Sequence, residues 1–304
     1  MKVSRGVYFL ADDGVVELAI AFLNSFRKHN PSIALCLIPF SDNIARLKEL
    51  QGAYGFSIFS NTKVYDWYDS INLKFHNKPL GHYRKLAIWE GEFDEFIYID
   101  VDTVVLENID FVFKMLSDYD FVASHSNMAH IVKWTWKESI YGAGLLANEQ
   151  IDYAANTGFI ASKKGAIALA EIRIKIAAIP GLKPHTLPLS YEQPFLNYLI
   201  VTSGGRYTSL FVLWKKGLYP GIALEQWAGT KGRKVRNGKI VLECHPVFLV
   251  HWAGKWTPTP FDNTLFSILK ALGIKRPDDK PAIRFFMPYK RLWQYYRFMR
   301  RDVI

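Results

Sequence analysis

The sequence predicts an α/β fold built on a mixed, mostly parallel sheet with flanking helices. Short apolar runs with the character of buried strands recur along the chain, and helical patterns separate them. Strands that alternate with helices are typical of crossover units, in which successive strands lie parallel. Half of the 304 residues are hydrophobic and 15% are aromatic, which indicates a globular protein with a sizeable core.

The first third of the chain shows this alternation clearly. GVYFLA (6–11) predicts a buried strand, and the DDG that follows predicts a turn and a helix cap. A helix is expected next, ended by HNP at 29–31, with one apolar face. That face contains Val15, Leu18, Ala19, Phe22 and Phe26. ALCLIPF (34–40) predicts a second strand, and a polar helix follows from about Asn43.

The remaining elements follow the same pattern. KLAIWE (85–90) predicts a helix that leads into the strand EFIYID. DYDFVAS, NTGFIAS and PVFLVHW (246–252) predict further strands, and YEQPFLNYLI predicts a helix. The composition changes near Gly273, where IKRPDDKP breaks regular structure. We therefore expect a catalytic domain over residues 1–273 and a basic, aromatic tail over 274–304.

Charge and composition limit the class of partner. The net charge is +10, and residues 275–304 alone carry nine basic and three acidic side chains. A nucleic-acid-binding face would be spread over the folded domain, so no nucleic acid is expected. Two distant cysteines, Cys36 and Cys244, suit a reducing compartment. No signal-peptide core and no spanning segment is evident, which predicts a cytoplasmic protein, with peripheral contact at the inner face of the membrane as the alternative.

Two carboxylates interrupt the apolar stretch FDEFIYIDVDTVVLENID. Asp100 and Asp102, with Val101 between them, fall where the strand ends. Ligands of open α/β sheets gather at the carboxyl ends of strands, and residues two apart in an extended chain point the same way. Two hard oxygen ligands suit Mg²⁺ or Mn²⁺ bridging a diphosphate. The alternative interpretation is a pair of strand-end caps.

Two comparisons test how specific this pattern is. Asp118 and Asp120 form a second D-x-D, but they precede their strand, which predicts loop and cap contacts. DVDTV also fits the nucleophile motif of haloacid-dehalogenase-like phosphatases, with Asp100 as the nucleophile. That motif usually lies on the first strand of the core, whereas earlier strands are predicted here. These phosphatases also have an acidic pair further along the chain. Here that pair could only be Asp278 and Asp279, which follow no predicted strand.

Four blocks in order resemble the family 8 glycosyltransferases, the retaining group that includes glycogenin, galactinol synthase and bacterial lipopolysaccharide sugar transferases. They are KLAIWEGEFDEFIYIDVDTVVLENID, NTGFIAS (156–162), YEQPFLN (191–197) and HWAGKWTP (251–258). The resemblance spreads over most of residues 5–260. It implies a GT-A fold, which is a Rossmann-like sheet, and a nucleotide-diphosphate sugar, most simply a UDP-sugar, as donor.

The resemblance also implies roles for single residues. Asp100 and Asp102 would hold Mn²⁺ or Mg²⁺ against the donor phosphates, and His251 would complete the metal site. If the resemblance is set aside, the simpler interpretation of His251 is a hydrogen-bonded core histidine. The base and ribose would lie against residues 9–13, which include Leu10, Ala11 and Asp12; a helix cap is the other reading of Asp12.

Further residues would contact the phosphates or the sugar. Lys85 stands at the position of a donor-contacting basic residue, and its alternative is a solvated helix lysine. Asn156, Glu192 and Gln193 would surround the sugar and carry catalysis, although strand-end amides and helix-start acids are also ordinary caps. Gly254 and Lys255 would contact the phosphates.

The sequence departs from the family in two places. The closing lysine is expected three residues after the glycine, where this chain has Thr257, so Lys255 replaces it or that phosphate contact is lost. Glu192 stands where the family has an aspartate one methylene shorter. That change puts the identity of the sugar in doubt, and to a lesser degree the activity.

The sequence therefore predicts a metal-dependent glycosyltransferase with a glycan, lipid-linked or small-molecule acceptor; retention is implied by the resemblance alone. The phosphatase and a non-catalytic nucleotide-sugar-binding protein are the alternatives.

In the tail, a helix past Pro288 would place one set of side chains on an apolar, aromatic face for membrane contact or for packing on the domain. The predicted set is Tyr289, Leu292, Tyr295, Tyr296 and Met299.

Overall fold

The structure is a computed structural model, and it describes residues 3–78, 80–228, 234–236, 239–241, 245–253 and 292–299. The strands are β1 (Arg5–Ala11), β2 (Ala34–Pro39), β3 (Phe56–Ile58), β4 (Glu95–Ile99), β5 (Thr103–Val105), β6 (Phe121–Ala123), β7 (Phe159–Lys163), β8 (Tyr207–Ser209), β9 (Leu224–Trp227), β10 (Lys234–Arg236), β11 (Lys239–Val241) and β12 (Val247–His251). The α-helices are α1 (Val16–His29), α2 (Ala45–Tyr54), α3 (Tyr65–His76), α4 (Asp110–Met115), α5 (Ala129–Thr135), α6 (Asn148–Tyr153), α7 (Leu169–Lys175), α8 (Ile179–Leu182), α9 (Gln193–Thr202) and α10 (Leu210–Lys215). Within the described ranges, no helix has the length and apolar character needed to cross a bilayer.

The described residues form two compact units. The first draws on the described residues within 1–14, 33–100 and 109–222, and the second on the described residues within 15–32, 101–108 and 223–304. The predicted boundary near Gly273 lies outside the described residues, so the division into a domain and a tail stays a prediction.

Seven strands of the first unit form one sheet in the order β3-β2-β1-β4-β7-β6-β8. The run from β3 to β4 is parallel throughout, and β6 is parallel to β8. β7 lies antiparallel to both of its neighbours, β4 and β6. β1 is buried from Gly6 to Ala11, as expected of a parallel strand covered on both faces. The predicted mixed, mostly parallel α/β sheet is therefore confirmed.

Two α-helices predicted in the first unit are confirmed, the polar helix from about Asn43 (α2) and the helix over YEQPFLNYLI (α9), whereas α3 to α8 and α10 were not predicted. α2 stops at Gly55, whose φ of 58° is a left-handed conformation that glycine adopts at low cost. α9 begins and ends two residues later than the helix predicted over YEQPFLNYLI and has Pro194 in its first turn. The segment predicted as a helix at 85–90 is a 3₁₀ helix over Gly81–Glu90, and it is mostly buried. Its burial matters because Lys85 lies on it.

The second unit contains a three-stranded sheet in the order β5-β12-β9. β12 runs antiparallel to β5 and parallel to β9. The predicted apolar face of α1 is confirmed, because four of its five residues are buried: Leu18, Ala19, Phe22 and Phe26. The amide of Val105 donates to Ser25 Oγ at 3.0 Å, so α1 is also bonded to β5.

Residues 292–297 of the tail are helical and pack on α1. Asn24 Nδ2 donates to the carbonyl of Tyr296 at 2.7 Å, and His29 Nε2 lies 3.1 Å from the Tyr296 hydroxyl. Arg297 forms an ion pair with Glu17. The described part of the tail is thus structural, which favours packing over membrane contact.

The predicted apolar face of the tail is partly wrong. Leu292 and Tyr296 are buried as expected, but Tyr295 is 47% exposed, and Trp293, which was not assigned to the face, is 5% exposed. Tyr289 lies outside the described residues. A short helix can pack through any of several faces, and the tail sequence has apolar or aromatic residues on more than one face of the helix.

A core substitution in the tail tests this packing. Leu292→Ala should lower the free energy of unfolding by at least about 2 kcal/mol, because it leaves a cavity at a side chain that is 1% exposed. Phe298→Ala removes a larger side chain that is 71% exposed and should change stability by less than about 0.5 kcal/mol. Urea titration followed by tryptophan fluorescence measures both. Equal, small effects would mean that the tail does not belong to the folded core.

Candidate active site

Asp100 follows directly after β4, in the middle of the main sheet. Its amide donates to the carbonyl of Gly158 at 2.8 Å, and its Oδ1 accepts from the Tyr98 hydroxyl at 2.5 Å. Lys85 Nζ lies 3.2 Å from the same oxygen. The Asp100 side chain nonetheless remains 30% exposed. The carboxylate is held by the first unit yet accessible to a ligand, as expected of a residue at the carboxyl end of a parallel strand.

Asp102 and His251 are brought together by the sheet of the second unit. The antiparallel register places His251 opposite Thr103, the residue after Asp102. The amide of Trp252 donates to the Asp102 carbonyl at 2.8 Å, so the pairing extends one step past the strands. As a result, His251 Nε2 lies 3.1 Å from Asp102 Oδ1.

The other ring nitrogen of His251 meets a third carboxylate. Glu225 lies on β9, and its Oε1 is 2.6 Å from His251 Nδ1. The Glu225 side chain is fully buried and that of His251 is 4% exposed. Burial alone would lower the pKa of His251, but Asp102 and Glu225 together raise that pKa well above its usual value. His251 is therefore a buried imidazole with a carboxylate at each ring nitrogen, as the core-histidine interpretation expects, and its role as a metal ligand stays a prediction.

Asp100, Asp102 and His251 form a group that can hold a metal ion. Each offers one ligand atom, and these atoms all lie within 4.8 Å of one another. Two carboxylate oxygens and one imidazole nitrogen form a donor set that suits Mn²⁺, and Mg²⁺ with fewer protein ligands. The residues present therefore fit the divalent metal that the resemblance implies.

Lys85 is at the centre of a buried polar cluster in the first unit. Its Nζ lies 2.5 Å from Glu192 Oε1, and it donates to the carbonyl of Thr157 at 3.3 Å. The Tyr98 ring centroid is 4.5 Å from the ammonium nitrogen. Burial lowers the pKa of Lys85, but the carboxylates of Asp100 and Glu192 outweigh burial and raise it. The solvated-lysine interpretation is therefore wrong, because the Lys85 side chain is only 3% exposed.

The three residues predicted to surround the sugar are all buried or nearly so. Asn156 Oδ1 accepts from the amide of Gly158 at 3.1 Å, a bond that shapes the entry into β7. Gln193 Nε2 donates to Thr135 Oγ1 at 2.7 Å. Glu192 precedes α9, and the Leu196 amide donates to its carbonyl, as at a helix start. Each of the three residues therefore makes hydrogen bonds within the protein, and their predicted roles toward a sugar stay predictions.

The residues predicted for the base and ribose lie at the end of β1. Leu10 and Ala11 are buried in the strand. Asp12 acts as a turn residue, because its two oxygens accept from the Gly14 amide at 2.9 Å and from Ser41 Oγ at 2.8 Å. Asp12 therefore stabilises the turn at the 3₁₀ helix Asp13–Val15 and does not cap α1, whose N-cap is Val15, and its nucleotide contact stays a prediction.

Other sequence predictions fall in two groups. Asp118 accepts from the Tyr219 hydroxyl, and Asp120 pairs with Lys163 at 3.0 Å. The amide of Arg206 lowers the pKa of Asp120 most. The loop interpretation of this second D-x-D is confirmed. The second group lies outside the described residues: Gly254, Lys255, Thr257 and the acidic pair Asp278 and Asp279.

Sequence reasoning missed Glu225, Thr157 and Tyr98. Glu225 carried the same signal that singled out Asp100, because it is a carboxylate in an apolar strand, after Ile222, Ala223 and Leu224. Thr157 and Tyr98 carried no such signal, since a threonine and a tyrosine are ordinary strand residues.

No known family profile matches the sequence, and no curated protein matches it. Several solved structures, however, are similar to this protein. The galactosyltransferase LgtC, solved with donor and acceptor sugar analogues, aligns over 95% of this chain and 95% of its own, with 16% identity and a TM-score of 0.53. Mouse xyloside xylosyltransferase 1 aligns over 86% of this chain and 100% of its own, with 11% identity and a TM-score of 0.53.

The bifunctional glycosyltransferase WbbM aligns over 88% of this chain, with 11% identity and a TM-score of 0.50. This chain spans about half of WbbM, 52% of its length. The structural neighbours are thus glycosyltransferases from several sources, and at these identities they establish the fold. The chain has the GT-A fold of these glycosyltransferases, with a mostly parallel seven-stranded sheet.

Proposed function

We propose that this protein is a metal-dependent glycosyltransferase that moves a sugar from a nucleotide-diphosphate donor, most simply a UDP-sugar, to a glycan, lipid-linked or small-molecule acceptor. One observation carries the proposal: in a GT-A fold, Asp100 and Asp102 follow a central strand and His251 offers a third ligand atom within 4.8 Å of theirs. The fold alone does not specify the reaction, whereas a carboxylate pair with an imidazole suits a metal-bound diphosphate.

The residues around this group have distinct tasks in the proposal. Asp100, Asp102 and His251 would hold a divalent metal ion, whose positive charge would stabilise a departing diphosphate, a major contribution to catalysis of this kind. Lys85 holds the carboxylates of Asp100 and Glu192 in place, since its ammonium lies 3.2 Å and 2.5 Å from them. Glu192 is the acidic side chain that the resemblance assigns to the sugar, and Gln193 and Asn156 supply amides beside it. Retention of configuration is proposed from the resemblance.

A thermal-shift screen with nucleoside diphosphates, each with and without Mn²⁺, tests the proposal. UDP and Mn²⁺ together should raise the melting temperature far more than either alone, because a ligand at a hundredfold excess over its Kd stabilises the native state by about 2.7 kcal/mol. Incubation with a panel of UDP-sugars, Mn²⁺ and candidate acceptors should then release UDP as the sugar passes to an acceptor hydroxyl or to water, and EDTA should stop the release.

Each alternative predicts a different result. A nucleotide-sugar-binding protein without activity would show the melting shift and release no UDP with any donor or acceptor. A phosphatase with Asp100 as nucleophile would be stabilised by beryllium fluoride and Mg²⁺ with no requirement for UDP. The position of Asp100 after β4 rather than after β1 argues against the phosphatase.

A further inference from the structure

We propose that Glu225 is a positioning residue for the metal site, whose carboxylate fixes the orientation and tautomer of His251 so that Nε2 is the ring nitrogen available to a divalent metal ion. The inference rests on the proposed metal-dependent function, and it deepens that function by adding a residue behind the ligand.

The burial of Glu225 requires an explanation. Its side chain is fully buried, within a strand whose neighbour Leu224 is 1% exposed. Burying a carboxylate costs several kcal/mol unless a charged or hydrogen-bonded partner compensates it. His251 is such a partner, since Nδ1 lies 2.6 Å from Glu225 Oε1, the distance of a strong charge-assisted hydrogen bond.

The geometry leaves the two ring nitrogens with different tasks. A carboxylate only accepts hydrogen bonds, so the 2.6 Å contact requires that His251 Nδ1 carries its hydrogen and donates it to Glu225. The other nitrogen, Nε2, lies 3.1 Å from Asp102 Oδ1 in the candidate metal group, and a metal ion bound there would take the place of the hydrogen that Nε2 shares with that carboxylate. Glu225 therefore binds the side of the ring that faces away from the proposed ligand set.

The sheet of the second unit keeps this arrangement rigid. β9 and β12 are parallel neighbours, and His251 pairs in register with Trp227. Glu225 is two residues before Trp227, so its side chain is on the same face of β9 as that of Trp227. Two paired strands thus hold the carboxylate and the imidazole, which is firmer support than a loop provides.

This arrangement has a known chemical consequence at metal sites. A histidine ligand that donates its other N–H to a carboxylate is fixed in one tautomer and becomes a more basic ligand. Loss of such a partner typically weakens metal affinity by about 10-fold to 100-fold. We therefore expect Glu225 to determine how tightly the site holds Mn²⁺, although it does not itself offer an atom to the candidate group.

The experiment compares Mn²⁺ affinity in the full-length protein and three variants, measured from the electron paramagnetic resonance signal of free Mn²⁺ in the presence of UDP. Glu225→Ala should weaken Mn²⁺ binding by about 10-fold to 100-fold. Glu225→Gln should lose less, because an amide oxygen still accepts from Nδ1. Gln226→Ala is the matched control, since Gln226 is adjacent on β9, is 5% exposed and points to the other face of the strand; its affinity should equal that of the wild type.

A second measurement reports the tautomer without any activity assay. Long-range ¹H–¹⁵N spectra of the Mg²⁺-loaded wild type should show His251 with its hydrogen on Nδ1. Glu225→Ala should shift His251 toward a mixture of tautomers, and Glu225→Gln should retain the wild-type pattern. If Glu225→Ala does not fold, the wild type and Glu225→Gln decide the question through these spectra.

The outcomes separate this inference from the function on which it rests. A folded Glu225→Ala variant with wild-type Mn²⁺ affinity, or a His251 that carries its hydrogen on Nε2 in the Mg²⁺-loaded wild type, overturns the role of Glu225 and leaves the metal site intact. Failure of the wild type to bind Mn²⁺ with UDP overturns the proposed metal site, and the role of Glu225 falls with it.

Discussion

In the Asp102→Asn variant, we expect the stabilisation that UDP and Mn²⁺ give together to disappear, while the melting temperature without ligands changes little. The substitution removes one of two carboxylates from the candidate metal group, and asparagine is a weak neutral ligand. Loss of a residue behind a ligand already costs about 10-fold to 100-fold in affinity, so loss of a charged ligand should cost more than about 100-fold. The ligand-free fold should persist because His251 retains its 2.6 Å contact with Glu225.

The chain provides its own control for this experiment. Asp118 belongs to the second D-x-D and accepts from the Tyr219 hydroxyl at the surface, so Asp118→Asn makes the same chemical change outside the candidate site. Its thermal shift with UDP and Mn²⁺ should equal that of the wild type. Loss of the shift in both variants would mean that the two D-x-D pairs are not distinguished by their position relative to the strands.

The sequence predicted the long elements of the fold because each carries its signal locally. α1 was predicted from a face of Leu18, Ala19, Phe22 and Phe26, and that face is buried. β3 was not predicted, because it has only three residues, Phe56–Ile58, and is defined by its pairing with β2. The antiparallel insertion of β7 between β4 and β6 is likewise a tertiary feature, since no local pattern in 159–163 encodes the direction of its neighbours.

The candidate site likewise contains residues that a local sequence signal predicted and contacts that depend on the tertiary fold. Asp100 and Asp102 were predicted to be site residues because burying a carboxylate costs free energy, so charges that interrupt an apolar strand need a compensating partner. The partner of Lys85 was not predictable, since Glu192 lies 107 residues further along the chain. The resemblance placed both residues near a donor but gave no indication that they contact each other.

The contact between Lys85 and Glu192 determines how the site should respond to mutation. Both side chains are nearly buried, at 3% and 9% exposure, and the two charged atoms are 2.5 Å apart. Removal of one member of a buried pair leaves the other charge without compensation, which costs about 3–5 kcal/mol. The raised pKa of Lys85 agrees with this, because the carboxylates of Asp100 and Glu192 outweigh the desolvation of the ammonium.

We therefore expect Lys85→Met to lower the free energy of unfolding by about 3–5 kcal/mol in chelator-treated protein, measured by urea titration. Adding Glu192→Gln should restore much of that loss, because the double variant no longer buries the unpaired Glu192 carboxylate, and the coupling between the two sites should exceed about 1 kcal/mol. Lys163→Met is the matched control: Lys163 pairs with Asp120 at 3.0 Å, but the two side chains are 32% and 28% exposed, so the loss should stay within about 1 kcal/mol. If Lys85→Met were no more damaging than Lys163→Met, the buried pair would contribute no stability to the fold, and the Lys85 ammonium would have to be held mainly for its action on a bound ligand.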